Sequence, residues 1–219
     1  MTSPNIDSFE QKESLAKDTI KNILAHAKNP CICFSGGKKS LVLLHLIKSV
    51  TKTPISVIFI NTTILFENTS HYVEKMRKLW GFQLVTVTSH KPIDNIDQDK
   101  DLCCNSLIIS PLWENIQKNR FDYVFIGSVR AEDRMNRLLD AHPGKKECIA
   151  VNPTEHFLNK DIWQYIHVYN LPYCSLYDLG YDKIDCKPCS QIKDSRQKNI
   201  LMPNEEELIK EKLKKLGYL

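Results

Sequence analysis

Apolar residues fall into two kinds of run along this chain. Short continuous runs rich in β-branched residues, "CICF" (31–34), "ISVIFI" (55–60), "QLVTVT" (83–88), "YVFIG" (123–127) and "CIAVN" (148–152), predict five strands, several of them covered on both faces. Longer stretches between them, with apolar positions at helical spacing, predict helices. The first covers 8–28, with Leu15, Ile20, Ile23 and Leu24 on its apolar face, and ends at Asn29-Pro30. Others are predicted at 41–50, at 66–80 with Gly81 as C-cap, at 103–119 with an interruption at Pro111, at 130–140, and at 159–170 with Asn159 as N-cap. Strands alternating with helices imply βαβ units. The expected fold is therefore α/β, a Rossmann-like parallel twisted sheet with helices on both faces, in one domain. The expected boundaries are an N-terminal helical extension (1–30), the α/β domain (31–190) and a charged C-terminal helical tail (191–219).

Composition narrows the class. In 219 residues, 26% are charged and 42% hydrophobic, the balance of an ordinary globular chain. A net charge of +4 suits an anionic ligand but does not by itself indicate nucleic acid, and no basic run is interleaved with aromatics. The start has no apolar signal-like core, and no run approaches a membrane span, so a cytoplasmic protein is expected. Eight cysteines in such a chain suggest metal or thiol chemistry rather than a disulfide framework.

The loop "SGGKKS" (35–40) stands between a strand and a helix. Backbone N–H groups at that helix N-terminus suit a phosphate. Gly36 and Gly37 permit close approach and positive φ, Ser35 and Ser40 add hydroxyls, and Lys38 and Lys39 add charge. The pattern is not a Walker A motif, which needs an earlier glycine. The loops at 35–40, 61–67 and 127–137 each follow a strand and should gather at one sheet edge, where open α/β sheets bind ligands. Arg130 and Arg137, seven residues apart, fall on one helix face, and guanidinium forks suit phosphate or sulfate oxygens. Cys103-Cys104 and Cys186-x-x-Cys189 form the strongest constellation. Four thiolates suit a 4Fe–4S cluster, with zinc as the alternative. Cys31, Cys33 and Cys148 read as core residues, and Cys174 as a thiol near the site.

Several segments, in order, resemble one family. "FSGGKKSLVLLHL" resembles the PP-loop of adenine-nucleotide α-hydrolase-like proteins, closest to the phosphoadenosine phosphosulfate (PAPS) reductase family. "INTTILFENT" (60–69), which contains Asn61, is similar to that family's DTGxxFPET segment, and "GSVRAEDRMNR" (127–137) to its arginine motif, with Arg134 in place of a serine. "NKDIWQYIHVYNLPYCSLYDLGYDKIDCKPC" (159–189) is similar to its long C-terminal block. The resemblance implies an adenine nucleotide bound by Ser35, Gly36, Gly37, Lys38, Lys39, Ser40, Asn61, Arg130 and Arg137. It also implies a cluster on Cys103, Cys104, Cys186 and Cys189, matching the CC…CxxC pattern of the iron–sulfur members, with Pro111-Leu112 at the family's distance from the pair.

The chain differs from the ATP-using relatives at one point and departs from the reductase family at two. Lys39 stands where ATP-using relatives carry an aspartate, which favours an adenylyl-sulfate ligand over magnesium-ATP. Leu107-Ile108 replace an Arg-Lys pair. No cysteine follows Cys189, whereas the reductases attack sulfur with a tail cysteine. Three readings follow: a reductase of adenylyl sulfate (APS) or PAPS served by a thioredoxin-like donor; an ATP-pyrophosphatase-type sulfurtransferase acting on nucleic acid; and a non-catalytic nucleotide- and cluster-binding subunit or sensor. The first is the leading expectation. A homo-oligomer is left open.

Overall fold

The computed structural model describes residues 8–89, 99–127 and 148–192. Five strands form one parallel sheet: β1 (Pro30–Cys33), β2 (Ser56–Thr62), β3 (Leu84–Ser89), β4 (Tyr123–Phe125) and β5 (Ile149–Val151), in the order β3-β2-β1-β4-β5. This is the expected α/β architecture. The order reverses at β1, so a crevice opens beyond the carboxyl ends of β1 and β4. The loop after β1 is residues 35–40, and Gly127 follows β4.

The helices are α1 (Phe9–Leu24), α2 (Lys38–Val50), α3 (Glu67–Trp80), α4 (Lys100–Cys104), α5 (Ser110–Asn119) and α6 (Asn159–Val168). The expected helix at 130–140 and the C-terminal tail from 193 lie outside the described residues. One face of the sheet buries Ile32, Val57, Phe59 and Phe125 against α1, α2, α3 and α6. On α2, Leu41, Leu43, Leu44, Leu46 and Ile47 are each at most 2% exposed, and each contributes about 1.5–3 kcal/mol on burial. The other face buries Cys31, Ile58 and Val124 against α5 through Ile109, Leu112, Trp113 and Ile116.

Several boundaries differ from the sequence reading for local reasons. The first helix stops at Leu24, and a turn precedes Pro30, which opens β1. Ser8 and Gln11 cap its start reciprocally. Leu158, not Asn159, is the N-cap of α6; the Asp161 carboxylate reaches back to accept the Leu158 N–H at 2.7 Å, so the cap comes from inside the helix. Gly81 ends α3 in the left-handed region at φ 65°, as expected. Pro111 does not break its helix. Residues Asn105–Ile109 form one π-turn joining α4 to α5, with the Ser110 N–H bonding Asn105 O five residues back. Pro111 has no N–H to give the Leu107 carbonyl, so α-type bonding cannot continue there. A short antiparallel ribbon of β6 (Tyr181–Lys183) and β7 (Gln191–Ile192) was not expected. Among the described residues no helix is long and apolar enough to cross a membrane.

Candidate functional site

The loop after β1 is built by its small residues. Gly36 takes φ +79°, and a Cβ there would meet Thr69 Cγ2 at 2.9 Å, so the loop lies flat against α3. Gly37 does not share that conformation. It is the N-cap of α2 at φ −80°, and its missing side chain leaves room for Tyr177 and the Ile184 carbonyl, 3.6 and 3.8 Å from where a Cβ would stand. Ser40 Oγ donates to Gly37 O at 2.9 Å and lies 3.2 Å from Ser35 Oγ, so the two hydroxyls face each other across the turn. Ser35 is exposed, Lys39 and Asn61 are half-buried, and Ser40 is buried. Gly127 closes the crevice from the β4 side. A Cβ on it would lie 2.8 Å from Lys39 O and 3.0 Å from Ser40 Cα, both backbone atoms. The chain can therefore bring β4 and the start of α2 together only with glycine at this position.

Lys38 has turned inward. Its backbone N–H donates to Tyr177 OH at 2.7 Å. Its ammonium donates to the Asp182 carbonyl at 2.6 Å and to Asp182 Oδ1 at 3.1 Å, and lies 5.2 Å from the centres of both the Trp163 and Tyr177 rings. The lysine side chain is only 4% exposed. Arg130 and Arg137 lie outside the described residues.

The cysteines divide into two groups. None of the eight is in a disulfide. Cys31, Cys33 and Cys148 line the α5 side of the sheet as expected. Burial pushes the Cys31 thiol up strongly, and pushes Cys33 and Cys148 up to about 12. Cys174 is 1% exposed and raised by burial, which makes it a neutral, inaccessible thiol rather than a reactive one.

The other four collect near the carboxyl ends of the strands. Cys103 and Cys104 close α4, whose start is fixed by Asp99 accepting the N–H groups of Asp101 and Leu102, and they directly precede the π-turn. Cys186 and Cys189 bracket a single 3-10 turn. The Cys186 carbonyl accepts the N–H groups of Cys189 and Ser190 at 2.8 and 3.0 Å, and Ser190 Oγ accepts the Asp185 N–H at 3.0 Å. This turn is fastened to the end of β2: Lys187 N–H donates to Ile64 O at 2.9 Å, and Thr62 Oγ1 lies 3.1 Å from Cys186 Sγ. Burial, then Cys189, Asp185 and Cys104, push Cys186 up to about 11 against the opposing Thr62 bond. Burial, then Cys104 and Cys189, raise Cys103. Cys104 and Cys189 thus stand near enough to act on both Cys103 and Cys186.

All-sulfur donors suit soft metal or iron–sulfur chemistry. Among the described residues no three His, Cys, Asp or Glu side chains are drawn tightly enough to hold one metal ion. Four sulfur donors suit an iron–sulfur cluster, with zinc as the alternative.

Sequence reasoning singled out the loop and the four cysteines but assigned nothing to Thr62, Trp163, Tyr177 or Asp182. All four lie inside segments quoted for the resemblance. Their contacts cross long stretches of chain, and no local pattern reports them.

The family model described as "Phosphoadenosine phosphosulfate reductase domain" matches residues 29–192. Proteins named adenosine 5′-phosphosulfate reductase from Bacillus cereus strains Q1 and AH820 are 27% and 29% identical over 168 residues, covering 71% of this chain and 70% of each relative. The Candida auris phosphoadenylyl-sulfate reductase, solved as a phosphate complex, shares the fold with a TM-score of 0.64 at 18% identity, covering 87% of this chain and 99% of that one. Candida glabrata FMN adenylyltransferase has a TM-score of 0.64 at 18% identity, covering 97% and 84%. The U34-tRNA thiolase NcsA of Methanococcus maripaludis, solved with its 4Fe–4S cluster, has 0.54 at 18%, covering 75% and 66%.

Proposed function

Since the chain belongs to the phosphoadenosine phosphosulfate reductase domain family, we propose that it binds an adenylyl-sulfate nucleotide on the loop of residues 35–40 and reduces the activated sulfate to sulfite. The reading also assigns a 4Fe–4S cluster to Cys103, Cys104, Cys186 and Cys189. One observation supports it above others: the cysteine turn and the phosphate-type loop form one face, with Asp182 holding Lys38 at 3.1 Å and Thr62 holding Cys186 at 3.1 Å.

In the proposed reaction the S–O bond to the nucleotide phosphate breaks. Two electrons come from a thioredoxin-like dithiol, which closes to a disulfide. Sulfite and the nucleoside phosphate leave, and the two dithiol protons pass to these products and solvent. The residues of this chain bind and orient. The loop backbone and the Ser35 and Ser40 hydroxyls receive the phosphate, Asn61 borders it from the end of β2, and Lys39 supplies a cation at the first turn of α2. Arg130 and Arg137 are assigned to the sulfate and phosphate oxygens. Cys103, Cys104, Cys186 and Cys189 would hold the cluster, whose iron core would partly offset the charge of their thiolates. Lys39 in place of an aspartate makes binding independent of magnesium.

A second reading, an ATP-pyrophosphatase-type sulfurtransferase acting on nucleic acid, is suggested by the fold shared with the U34-tRNA thiolase NcsA, which was solved with its 4Fe–4S cluster. Calorimetry on anaerobically purified protein separates the two. The first reading expects APS or PAPS to bind with or without magnesium, more weakly as salt rises. Tight binding of ATP only with magnesium would put the sulfurtransferase first.

A further inference from the structure

Lys38 stands in a loop that the family uses for nucleotide, yet its side chain bonds and packs against the C-terminal block. The ammonium meets the Asp182 carbonyl at 2.6 Å, Asp182 Oδ1 at 3.1 Å, and the Trp163 and Tyr177 rings at 5.2 Å. Tyr177 also takes the Lys38 backbone N–H. Asp182 lies in β6, and the chain runs from it through Ile184, 5% exposed, directly into Cys186. The same cysteine turn is fixed on its other side by Thr62 and Ile64. A lysine that only served a bound anion would need its ammonium at the loop mouth. This one is 4% exposed and bonds a backbone carbonyl, which cannot be titrated away or rotated aside without moving the chain.

We propose that Lys38 is a positioning residue: its side chain ties the first turn of α2 to the β6–Cys186 segment, so that the nucleotide loop and the cysteine turn move as one body. Its phosphate-binding role passes to Lys39 and the loop backbone. The effect on nucleotide rests on the function proposed above; the tie itself does not. It follows that an anion settling on residues 35–40 steadies Cys186, and that displacement of Cys186 loosens the loop, since coupling between two sites is reciprocal.

The test is alkylation of the full chain as isolated, under anaerobic native conditions, with the rate at each cysteine read by mass spectrometry. Cys31 and Cys148, 0% and 1% exposed in the core, report global opening, whereas Cys186 reports its own turn. Lys38→Met should speed alkylation of Cys186 by roughly tenfold, the factor for losing one hydrogen bond to a charged group, with Cys31 and Cys148 unchanged. Asp182→Ala removes only the 3.1 Å carboxylate contact and should act in the same direction by a smaller factor; Lys38→Gln carries the test if Lys38→Met does not fold. The double variant should be no faster than the faster single, because both remove one interaction. Adding APS should slow Cys186 in the wild type and not in Lys38→Met. If APS has no effect on the wild type but both variants still expose Cys186, the tie stands and the nucleotide reading fails. An unchanged Cys186 rate in both variants overturns the proposal, as does equal acceleration of Cys31, Cys148 and Cys186.

Discussion

Lys12–Asp161 and Lys38–Asp182 are the same pair of groups in two settings. The first joins α1 to the start of α6 at 2.6 Å, with its side chains 8% and 4% exposed. Asp161 also accepts the Leu158 N–H, and apolar Ala16, Ile20, Phe157 and Tyr165 fill the same layer. Neither charge has water to fall back on. The second joins the first turn of α2 to β6 at the crevice, and its aspartate side chain is 36% exposed. Water can solvate that carboxylate if the lysine leaves, so the ion pair itself adds little. The backbone carbonyl and two rings fix Lys38 there. The comparison teaches that a dry pair holds an element to the core, whereas a half-wet pair sets how α2 and β6 stand to each other at small cost in stability.

The strongest way to break the comparison is Asp161→Ala. It strands the Lys12 ammonium in the core and strips the α6 cap, and should cost about 3–5 kcal/mol in urea unfolding. Nucleotide affinity at the loop of residues 35–40 should fall by much less than stability in the protein that remains folded. Next is Gly127→Ala, whose new Cβ would press on Lys39 and Ser40 backbone atoms. Overpacking of this kind costs about 1–3 kcal/mol, and the shifted start of α2 should lower APS affinity in calorimetry while leaving Lys12–Asp161 intact. Acid sharpens the contrast. Burial alone would raise Asp161, but the Lys12 ammonium and the Leu158 N–H outweigh it and hold the carboxyl below its ordinary range. The stability it contributes is therefore complete above about pH 4 and lost as pH falls through its lower folded value. Asp161→Asn should remove that part of the acid unfolding curve followed by circular dichroism. Smallest is Asp182→Ala, expected to change global stability by less than about 1 kcal/mol in the same urea experiment.

The same division explains what was legible in the sequence. β2 reads directly from "ISVIFI", because a strand covered on both faces has no polar alternation to confuse it. Gly81 reads as a helix end because the left-handed cap it occupies suits glycine. The place of residues 35–40 between β1 and α2 also reads directly, from local spacing. Pro111 was visible, but not that a π-turn would absorb it. β6 and β7 are too short to carry any period. Lys12–Asp161 and Lys38–Asp182 link residues far apart in sequence, and hydrophobic periodicity says which face is buried without saying which charge meets which across it. Lys38 was therefore read by its neighbours in sequence, two glycines and a second lysine, and its neighbours in space assign it elsewhere.

The central claim is that four cysteines from two distant segments hold one cluster beside the nucleotide loop. Metal and acid-labile sulfide analysis of the anaerobically purified chain tests it most directly. The account predicts about four irons and four sulfides per chain, lost together when Cys186 or Cys103 is changed to serine. One zinc per chain without sulfide, or iron that survives both substitutions, would contradict it.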